Sequence, residues 1–263
     1  MDLGISGKAA IVAASSKGLG YAVAHALASE GCRVCVSSRT AAASENAART
    51  IAADTGTETM AVACDVTRAS DCERLVSEVE RKWGGADILI NNSGGPAPGA
   101  FDAADERQWQ EAIDSTLMNV VRLSRLCIPH MKQRKWGRIV TITSTSAVQP
   151  IDNLMLSNAL RGAVHGLSKT LATELGPHGI LVNCVLPGMH ATDRLSHLSE
   201  ARAKVSGLTP AEEYAKLSQA IPVGRLGDPA ELAAAVAFLA SERASFITGT
   251  SLVVDGGATR GLT

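Results

Sequence analysis

The chain has 263 residues, of which 46% are hydrophobic and 19% are charged, and its formal net charge is −1. This composition allows a substantial buried core. The near-neutral charge and an aromatic content of only 3% exclude the basic patches and base-stacking platforms of nucleic-acid-binding proteins. We therefore expect a folded protein whose partner is a small molecule.

Signals for targeting, membrane insertion and metal binding are missing from the sequence pattern. The opening stretch MDLGISGKAAIVAASS does not have the charged, apolar and cleavage regions of a signal peptide, and no apolar run reaches the ~18 residues of a membrane span. The six cysteines lie among apolar neighbours, as reduced core thiols do. The histidines lack a second ligand at metal spacing. We predict a soluble cytoplasmic protein without membrane contact and without a metal.

Short apolar segments alternate along the chain with segments of helical periodicity. The predicted strands are, in chain order, residues 8–14, 33–38, 60–66, 86–94, 137–144, 180–188 and 251–257. Helices are predicted between them, and the two longest span about 102–135 and 155–176. Apolar strands that alternate with helices indicate an α/β fold, a Rossmann-type doubly wound parallel sheet of about seven strands with helices on both faces. Because no linker or repeat interrupts this pattern, we predict a single domain over residues 1–263.

Residues 189–222 form a polar excursion after the sixth strand. In an open α/β sheet, a long insertion at the carboxyl end of a strand lies over the ligand crevice. We predict that this segment is a lid or substrate loop. Its Tyr214 reaches a substrate only if the loop folds inward.

The segment AASSKGLG, residues 13–20, follows the first strand and opens a helix. Gly18 and Gly20 would let the backbone approach a pyrophosphate at the helix N-terminus, where free N–H groups and the helix dipole favour anions. The residues predicted to bind the cofactor here are Ser15, Ser16, Lys17, Gly18, Leu19 and Gly20.

The end of the second strand lacks the acidic residue that binds a ribose 2′-hydroxyl in NAD enzymes. Ser38 and Arg39 occupy that place, and Lys17 stands opposite in the glycine loop. Two cations and a hydroxyl suit a 2′-phosphate. We therefore predict NADP as the cofactor.

Seven motifs in chain order resemble those of the short-chain dehydrogenase/reductase family, over essentially the whole chain. They are ASSKGLG (14–20), CDVT (64–67), NNSGG (91–95), GRIVTITS (137–144), VNCVLPG (182–188), GRLGDPAELA (224–233) and GTSLVVDGG (249–257). The resemblance implies an oxidoreductase that passes hydride between nicotinamide C4 and a carbonyl or alcohol carbon. It implies further cofactor contacts from Asp65, Val66, Asn92, Ser93, Gly94, Pro187, Gly188 and Thr192. It also implies a homotetramer, assembled through the two longest helices and the C-terminal segment.

The catalytic positions implied by the resemblance are mostly substituted. In the family a serine polarises the substrate oxygen and a tyrosine transfers the proton. A lysine lowers the pKa of that tyrosine and holds the nicotinamide ribose, and an asparagine anchors a water relay. Ser144 matches the serine, but the other three positions carry Ser157, Arg161 and Thr116; Asn119 lies one helical turn beyond the asparagine position. The first glycine of the cofactor loop is also replaced, by Ala14.

These substitutions leave the source of the proton open. A phenol has a pKa near ~10 that neighbours can tune, whereas a serine hydroxyl is far more basic and arginine holds its proton. We predict that Ser144, Ser157 and Arg161 form the catalytic set, with Ser157 orienting groups and Arg161 holding the ribose or a substrate anion. The remaining proton donors are water bound by the serines or nearby titratable groups. The candidate substrate-facing residues are Asp152, Asn153, His190 and Tyr214.

Several functions are compatible with this pattern. The first is an NADP(H)-dependent oxidoreductase that acts on a small polar carbonyl or alcohol with an atypical proton donor. The second is an NADP(H)-binding protein with little redox turnover, such as a sensor or partner subunit. A reductase of an already cationic imine needs no proton at the reacting atom. A non-redox lyase of the dehalogenase type fits worst, since those enzymes keep the tyrosine and lose the glycine-rich loop.

Overall fold

The computed structural model describes residues 1–192, Leu195 and residues 207–261. Much of the predicted lid, residues 193–194 and 196–206, therefore lies outside the described residues. The strands are β1 (Ala9–Val12), β2 (Arg33–Ser38), β3 (Thr59–Ala63), β4 (Ile88–Asn91), β5 (Gly137–Ile142), β6 (Ile180–Pro187) and β7 (Ser251–Val254). The α-helices are α1 (Gly18–Ser29), α2 (Ala41–Thr55), α3 (Ala69–Trp83), α4 (Glu106–Ile113), α5 (Asn119–Arg134), α6 (Met155–Leu175), α7 (Pro210–Gln219) and α8 (Pro229–Leu239).

The strands form a parallel sheet in the order β3-β2-β1-β4-β5-β6-β7. This arrangement confirms the predicted Rossmann-type fold. The strand order reverses direction between β1 and β4, and ligands of such sheets bind in the crevice outside the carboxyl ends of the strands at that point. The segments that carry the predicted site residues lie along this edge.

The sheet is covered on both faces because its strands are apolar on both sides. Val12 on β1 packs into the cluster that contains α1, α2 and α8, whereas its neighbour Ile11 packs into the cluster with α3, α5 and the C-terminal part of α6. Both side chains are fully buried. Each such burial contributes about 1.5–3 kcal/mol to folding. None of the described helices combines the length and the apolar character needed to cross a membrane.

The helix predicted over 102–135 is broken in the structure. It consists of α4, a π-helical turn over Asp114–Met118 and α5. A π turn inserts an extra residue into the helix and is frequent at functional sites. Here it accompanies the burial of Thr116 and Asn119, which are 3% and 1% exposed.

The turn that follows β1 adopts a backbone conformation unusual for its residue. Ala14 has φ of +47°, in the left-handed region that glycine occupies readily and alanine does not. Its carbonyl oxygen accepts a hydrogen bond of 3.1 Å from Nδ2 of Asn92. A Cβ on Gly20 would lie only 2.3 Å from the same oxygen, so Gly20 has to be glycine. The turn is therefore closely packed from two sides.

Replacing Ala14 with glycine is expected to stabilise the protein. A left-handed alanine costs about 1–2 kcal/mol, whereas the extra freedom of glycine in the unfolded chain costs about 0.4–1 kcal/mol. We expect Ala14→Gly to raise the free energy of unfolding by about 0.5 kcal/mol or more, measured by urea denaturation. Ala13→Gly is the control, because Ala13 is buried without positive φ and should lose stability. If Ala14→Gly loses as much stability as the control, the backbone of Ala14 is not strained.

Candidate active site

The glycine loop places an uncapped helix N-terminus at the crevice. Helix α1 begins at Gly18, and its N-cap, Lys17, makes no side-chain capping bond. The first N–H groups of a helix have no partner within the helix, so they are available to an anion. Ser16 and Leu19 are half-buried on this loop. Ser15 is different, because its hydroxyl is fully buried.

The buried hydroxyl of Ser15 ties β1 to β2. Its Oγ donates to the carbonyl of Val12 at 2.6 Å and accepts from the backbone N–H of Ser37 at 3.0 Å. Ser15 therefore shapes the loop from beneath, and the structure does not present its side chain to the crevice. The sequence-based prediction of Ser15 as a cofactor contact remains open only for its backbone.

The end of β2 presents positive charge to solvent. Lys17 and Arg39 are both exposed, and neither forms an ion pair with any residue in the described part of the chain. Ser38 contacts Oγ of Ser44 at 2.8 Å and donates to the carbonyl of Thr40 at 3.1 Å. Its hydroxyl therefore helps to start α2, and the two cations remain available to a ligand.

The segments after β3 and β4 border the same crevice. Asp65 is held in its turn, since Oδ1 accepts from both the N–H and the hydroxyl of Thr67 at 3.0 and 2.7 Å. Val66 is half-buried beside it. After β4, the side chain of Asn92 donates its hydrogen bond to the carbonyl of Ala14. The other two predicted contacts after β4, Ser93 and Gly94, are half-buried and exposed, respectively.

The loop after β6 approaches the glycine loop. A Cβ on Gly18 would lie 3.9 Å from the methyl carbon of Thr192. Gly188 must remain glycine, because a Cβ there would lie 2.5 Å from Cβ of Asp255. Pro187, the last residue of β6, is buried. The two loops that are predicted to hold opposite ends of the cofactor therefore face each other.

Ser144 and Ser157 are linked through a third serine. Ser144 caps a short 3₁₀ turn, and its Oγ accepts from the backbone N–H of Ser146 at 3.1 Å. The hydroxyls of Ser146 and Ser157 lie 3.0 Å apart. Ser157 lies in the first turn of α6 and is 7% exposed. The structure thus brings the two predicted serines into one hydrogen-bonded group.

Arg161 follows Ser157 by one turn of α6 and contacts the end of β5. Its Nη1 donates to the carbonyl of Ile142 at 3.2 Å. This contact holds the guanidinium beside the strand that leads to Ser144. The structure therefore groups Ser144, Ser157 and Arg161 at the carboxyl edge of β5.

The sequence did not single out His165, which lies one further turn along α6. Thr143 Oγ1 donates to the carbonyl of Val185 at 3.3 Å, so it accepts from His165 Nε2 at 3.1 Å. Nδ1 of His165 then accepts from Ser251 at 3.1 Å. Burial and the guanidinium of Arg161 lower the pKa of His165, which favours the uncharged ring. His165 thus clamps the residue before Ser144.

The spacing of Ser157, Arg161 and His165 is a signal that sequence reasoning could have used. Residues at i, i+4 and i+8 lie on one face of a helix. Ser146 carried no comparable signal, because it lies in an irregular loop. Its role depends on the geometry of the 3₁₀ turn.

His190 and Tyr214, two further candidate substrate-facing residues, lie in the loop after β6 and on α7. His190 is 5% exposed, and its ring packs against Gly227, where a Cβ would lie 2.7 Å from Cδ2. Burial lowers the pKa of His190. The same ring lines a pocket with Arg225, Glu231 and Asp255. Tyr214 is half-buried on α7.

Asp152 and Asn153 form an exposed turn before α6. Asn153 has φ of +58°, and its carbonyl accepts from the N–H of Gly99 at 2.7 Å. The amide of Asn158 pins the same loop, through bonds of 3.1 and 3.0 Å with the backbone of Ile151. The turn therefore borders the crevice without a side-chain bond to the serines among the described residues. The part of the chain that the structure describes contains no group of three potential metal ligands.

Comparisons with known proteins agree with this geometry. A family model described as enoyl-(acyl carrier protein) reductase matches residues 13–259. Dehydrogenase/reductase SDR family member 4 from Sus scrofa is 36% identical over 256 residues, which are 96% of this chain and 88% of that protein. The 3-oxoacyl-(acyl-carrier-protein) reductase FabG from Vibrio cholerae is 34% identical over 257 residues, which are 97% of this chain and 98% of that protein.

A solved structure shows the same fold over its full length. The crystal structure of L-sorbose reductase from Gluconobacter frateurii, complexed with NADPH and L-sorbose, is 35% identical to this chain. The two match with a TM-score of 0.96, and the match covers 100% of each chain. The chain belongs to the short-chain dehydrogenase/reductase family of oxidoreductases.

Proposed function

We propose that this protein is an NADP(H)-dependent oxidoreductase that transfers hydride between the nicotinamide and a small polar carbonyl or alcohol. The single observation that carries the proposal is the preserved cofactor crevice. The uncapped N-terminus of α1, the obligatory Gly20 and the exposed pair Lys17 and Arg39 lie at the switch point of the sheet. The NADPH present in the sorbose reductase complex supports the same choice of cofactor.

The residues of this crevice fit a phosphorylated dinucleotide. The N–H groups of α1 suit a pyrophosphate, and Lys17 and Arg39 suit a 2′-phosphate because both are free of carboxylate partners among the described residues. Ser38 and Arg39, rather than a carboxylate, occupy the end of β2. When bound, the nicotinamide supplies or accepts the hydride. The residues of the chain have to bind the cofactor, orient the substrate and transfer the proton.

We assign the roles at the reacting centre from the hydrogen-bonded group. Ser144 polarises the substrate oxygen, and Ser157 orients Ser146 and substrate rather than titrating. Arg161 binds the nicotinamide ribose hydroxyls or a substrate anion with its fixed donors. Water bound by the serines donates the proton, at a cost of roughly 10²–10⁴ in rate relative to a positioned acid. Divergence at Ser157 and Arg161 is therefore a change in proton source within an intact fold.

The permanent charge of Arg161 also bears on which class of substrate the site accepts. A guanidinium stays protonated, so it repels a cationic imine and favours a neutral or anionic substrate. A neutral polyhydroxy ketone such as L-sorbose, the ligand of the sorbose reductase complex, is the first compound to test. A binding protein without turnover is the alternative that the same assay tests.

We also propose that the chain forms a homotetramer through α4–α6 and its C-terminal segment. Phe246 and Leu252 near the C-terminus are exposed large apolar side chains, which a partner subunit would cover. Analytical ultracentrifugation of the purified protein measures the assembly.

The cofactor proposal predicts a preference for NADPH over NADH that depends on two side chains. We expect Lys17→Ala combined with Arg39→Ala to weaken NADPH binding about tenfold, because charge-assisted hydrogen bonds to the phosphate are lost, with little change for NADH. Fluorescence titration measures both affinities. Arg134→Ala, which removes an exposed cation at the C-terminal end of α5, is the control. Equal affinity for the two cofactors, unchanged in the variant, would refute the assignment.

The proton-source proposal predicts that a phenol improves the enzyme. We expect Ser157→Tyr with Arg161→Lys to raise kcat about 10²–10⁴-fold on carbonyl compounds, since a tunable acid replaces water. NADPH oxidation over a panel of sugars, polyols and keto acids measures the gain. Ser157→Phe with Arg161→Lys supplies the same bulk without the hydroxyl and should show no gain. If the tyrosine variant binds NADPH but loses a fast wild-type activity, Ser157 and Arg161 are themselves the chemical groups.

A further inference from the structure

The loop after β6 is held from behind by an isolated parallel bridge between His190 and Gly227. The N–H of Ala191 donates to the carbonyl of Gly227 at 2.8 Å, and the N–H of Gly227 donates to the carbonyl of Met189 at 3.0 Å. Thr192, whose methyl group lies close to the glycine loop, comes directly after these residues. The bridge therefore sets where Thr192 lies.

The ring of His190 fills the space beside Gly227. His190 is 5% exposed, and a Cβ on Gly227 would lie 2.7 Å from Cδ2 and 2.9 Å from Nε2 of the ring. Gly227 does not have a positive φ, so it is the ring rather than the backbone conformation that requires a glycine here. The ring and the glycine are therefore matched to each other in shape.

One hydrogen bond fixes which nitrogen of the ring carries the proton. Nδ1 of His190 lies 3.3 Å from the carbonyl oxygen of Gly188. A carbonyl oxygen only accepts, so Nδ1 is protonated and Nε2 of the uncharged ring has a free lone pair. A second proton, on Nε2, would place a positive charge at this buried position. The packing therefore suits the uncharged ring.

Charged groups from the neighbouring segments face His190, but each already has partners. Glu231 on α8 binds the guanidinium of Arg225 through two bonds of 2.8 and 2.7 Å. Asp228 caps the start of α8, and Asp255 accepts from two backbone N–H groups beyond β7. Burial lowers the pKa of His190 and outweighs these three carboxylates, which raise it. The carboxylates therefore do not compensate for burying a charged ring.

We propose that His190 is a positioning residue for the cofactor: its uncharged ring anchors the loop that carries Thr192 against Gly227. The role of Thr192 in holding the cofactor rests on the proposed function, whereas the anchor does not. A protonated ring releases the loop, because an imidazolium is more stable in water than in the space beside Gly227. The loop is thus held at neutral and alkaline pH and is released in acid.

Hydrogen exchange of the bridge amides tests the anchor in the protein without cofactor. An exposed histidine has a pKa of about 6.5 and the buried ring has a lower one, so the anchor is complete above this pH and is lost as the pH falls below it. Protection of the Ala191 and Gly227 N–H groups, corrected for intrinsic exchange rates, should fall about five- to tenfold from about pH 7.5 to about pH 5.5. Protection that does not change with pH in the wild type overturns the proposal.

Three comparisons separate this effect from a general loosening in acid. The N–H of Gly99 closes a second isolated bridge, which involves no histidine, and its protection should change less than about twofold. His190→Asn keeps an N–H for the carbonyl of Gly188 but cannot titrate, so its bridge amides should lose the pH dependence. His178→Asn, at an exposed histidine, should behave as the wild type does. If His190→Asn keeps the pH dependence of the wild type, another group is responsible and the proposal is wrong.

A double-mutant cycle tests whether the anchor acts on the cofactor. Gly227→Ala places a methyl group against the ring and should weaken NADPH binding several-fold, because it displaces the loop that carries Thr192. His190→Ala removes the ring, so adding Gly227→Ala to that variant should cause no further loss. Fluorescence titration measures the four affinities. If Gly227→Ala has no effect, or weakens binding by the same factor with and without the ring, His190 does not position the cofactor.

The two experiments also separate this proposal from the proposed function. If the wild type binds no NADPH while the exchange of its bridge amides depends on pH, the proposed function and the cofactor role of His190 fail together and the anchor stands. If NADPH binds and the exchange does not depend on pH, the anchor alone is refuted.

Discussion

The close approach of three groups in the turn after β1 is the constraint on which the rest of the site depends. The carbonyl of Ala14 lies against Gly20, where no side chain fits, and accepts a hydrogen bond from Asn92. The first contact fixes where α1 begins and where its N–H groups point. The second ties that turn to the end of β4, across the reversal in strand order. The carbonyl of Ala14 therefore contacts the segments on both sides of the cofactor crevice.

The group around Ser144, Ser157 and Arg161 differs chemically from the cofactor crevice. Its parts are serine hydroxyls, a guanidinium and a histidine whose pKa is lowered by burial, and neither the hydroxyls nor the guanidinium titrate near neutrality. These groups form a chain of hydrogen bonds that runs from Ser144 to Ser157, and Arg161 and His165 fix the strand behind it. Such a group suits binding and orientation, and we propose that it takes its proton from solvent. Our proposal therefore keeps cofactor binding at the crevice and places the change in the residues that handle the proton.

Sequence reasoning predicted the fold and the cofactor crevice because both follow from local patterns. Apolar strands alternate with helices, glycines stand where the backbone packs closely, and parallel strands bring their ends to one edge. It did not predict the role of Ser15, whose hydroxyl turns inward because β1 and β2 meet there. It named His190 as a candidate from chain proximity alone, and the packing of its ring against Gly227 could not be predicted in that way. The break at Asp114–Met118 was also missed, since a π turn depends on tertiary packing rather than on periodicity.

The pH dependence of hydride transfer tests the central claim most directly. In single turnovers with saturating NADPH and a carbonyl substrate, a tyrosine acid produces a rate that changes tenfold per pH unit on one side of its pKa. A site of serines, arginine and water should instead give a rate that is nearly constant from about pH 6 to about pH 9, because none of these groups titrates in that range. A single ionisation within the range would show that an acid of the protein donates the proton, and would contradict the account.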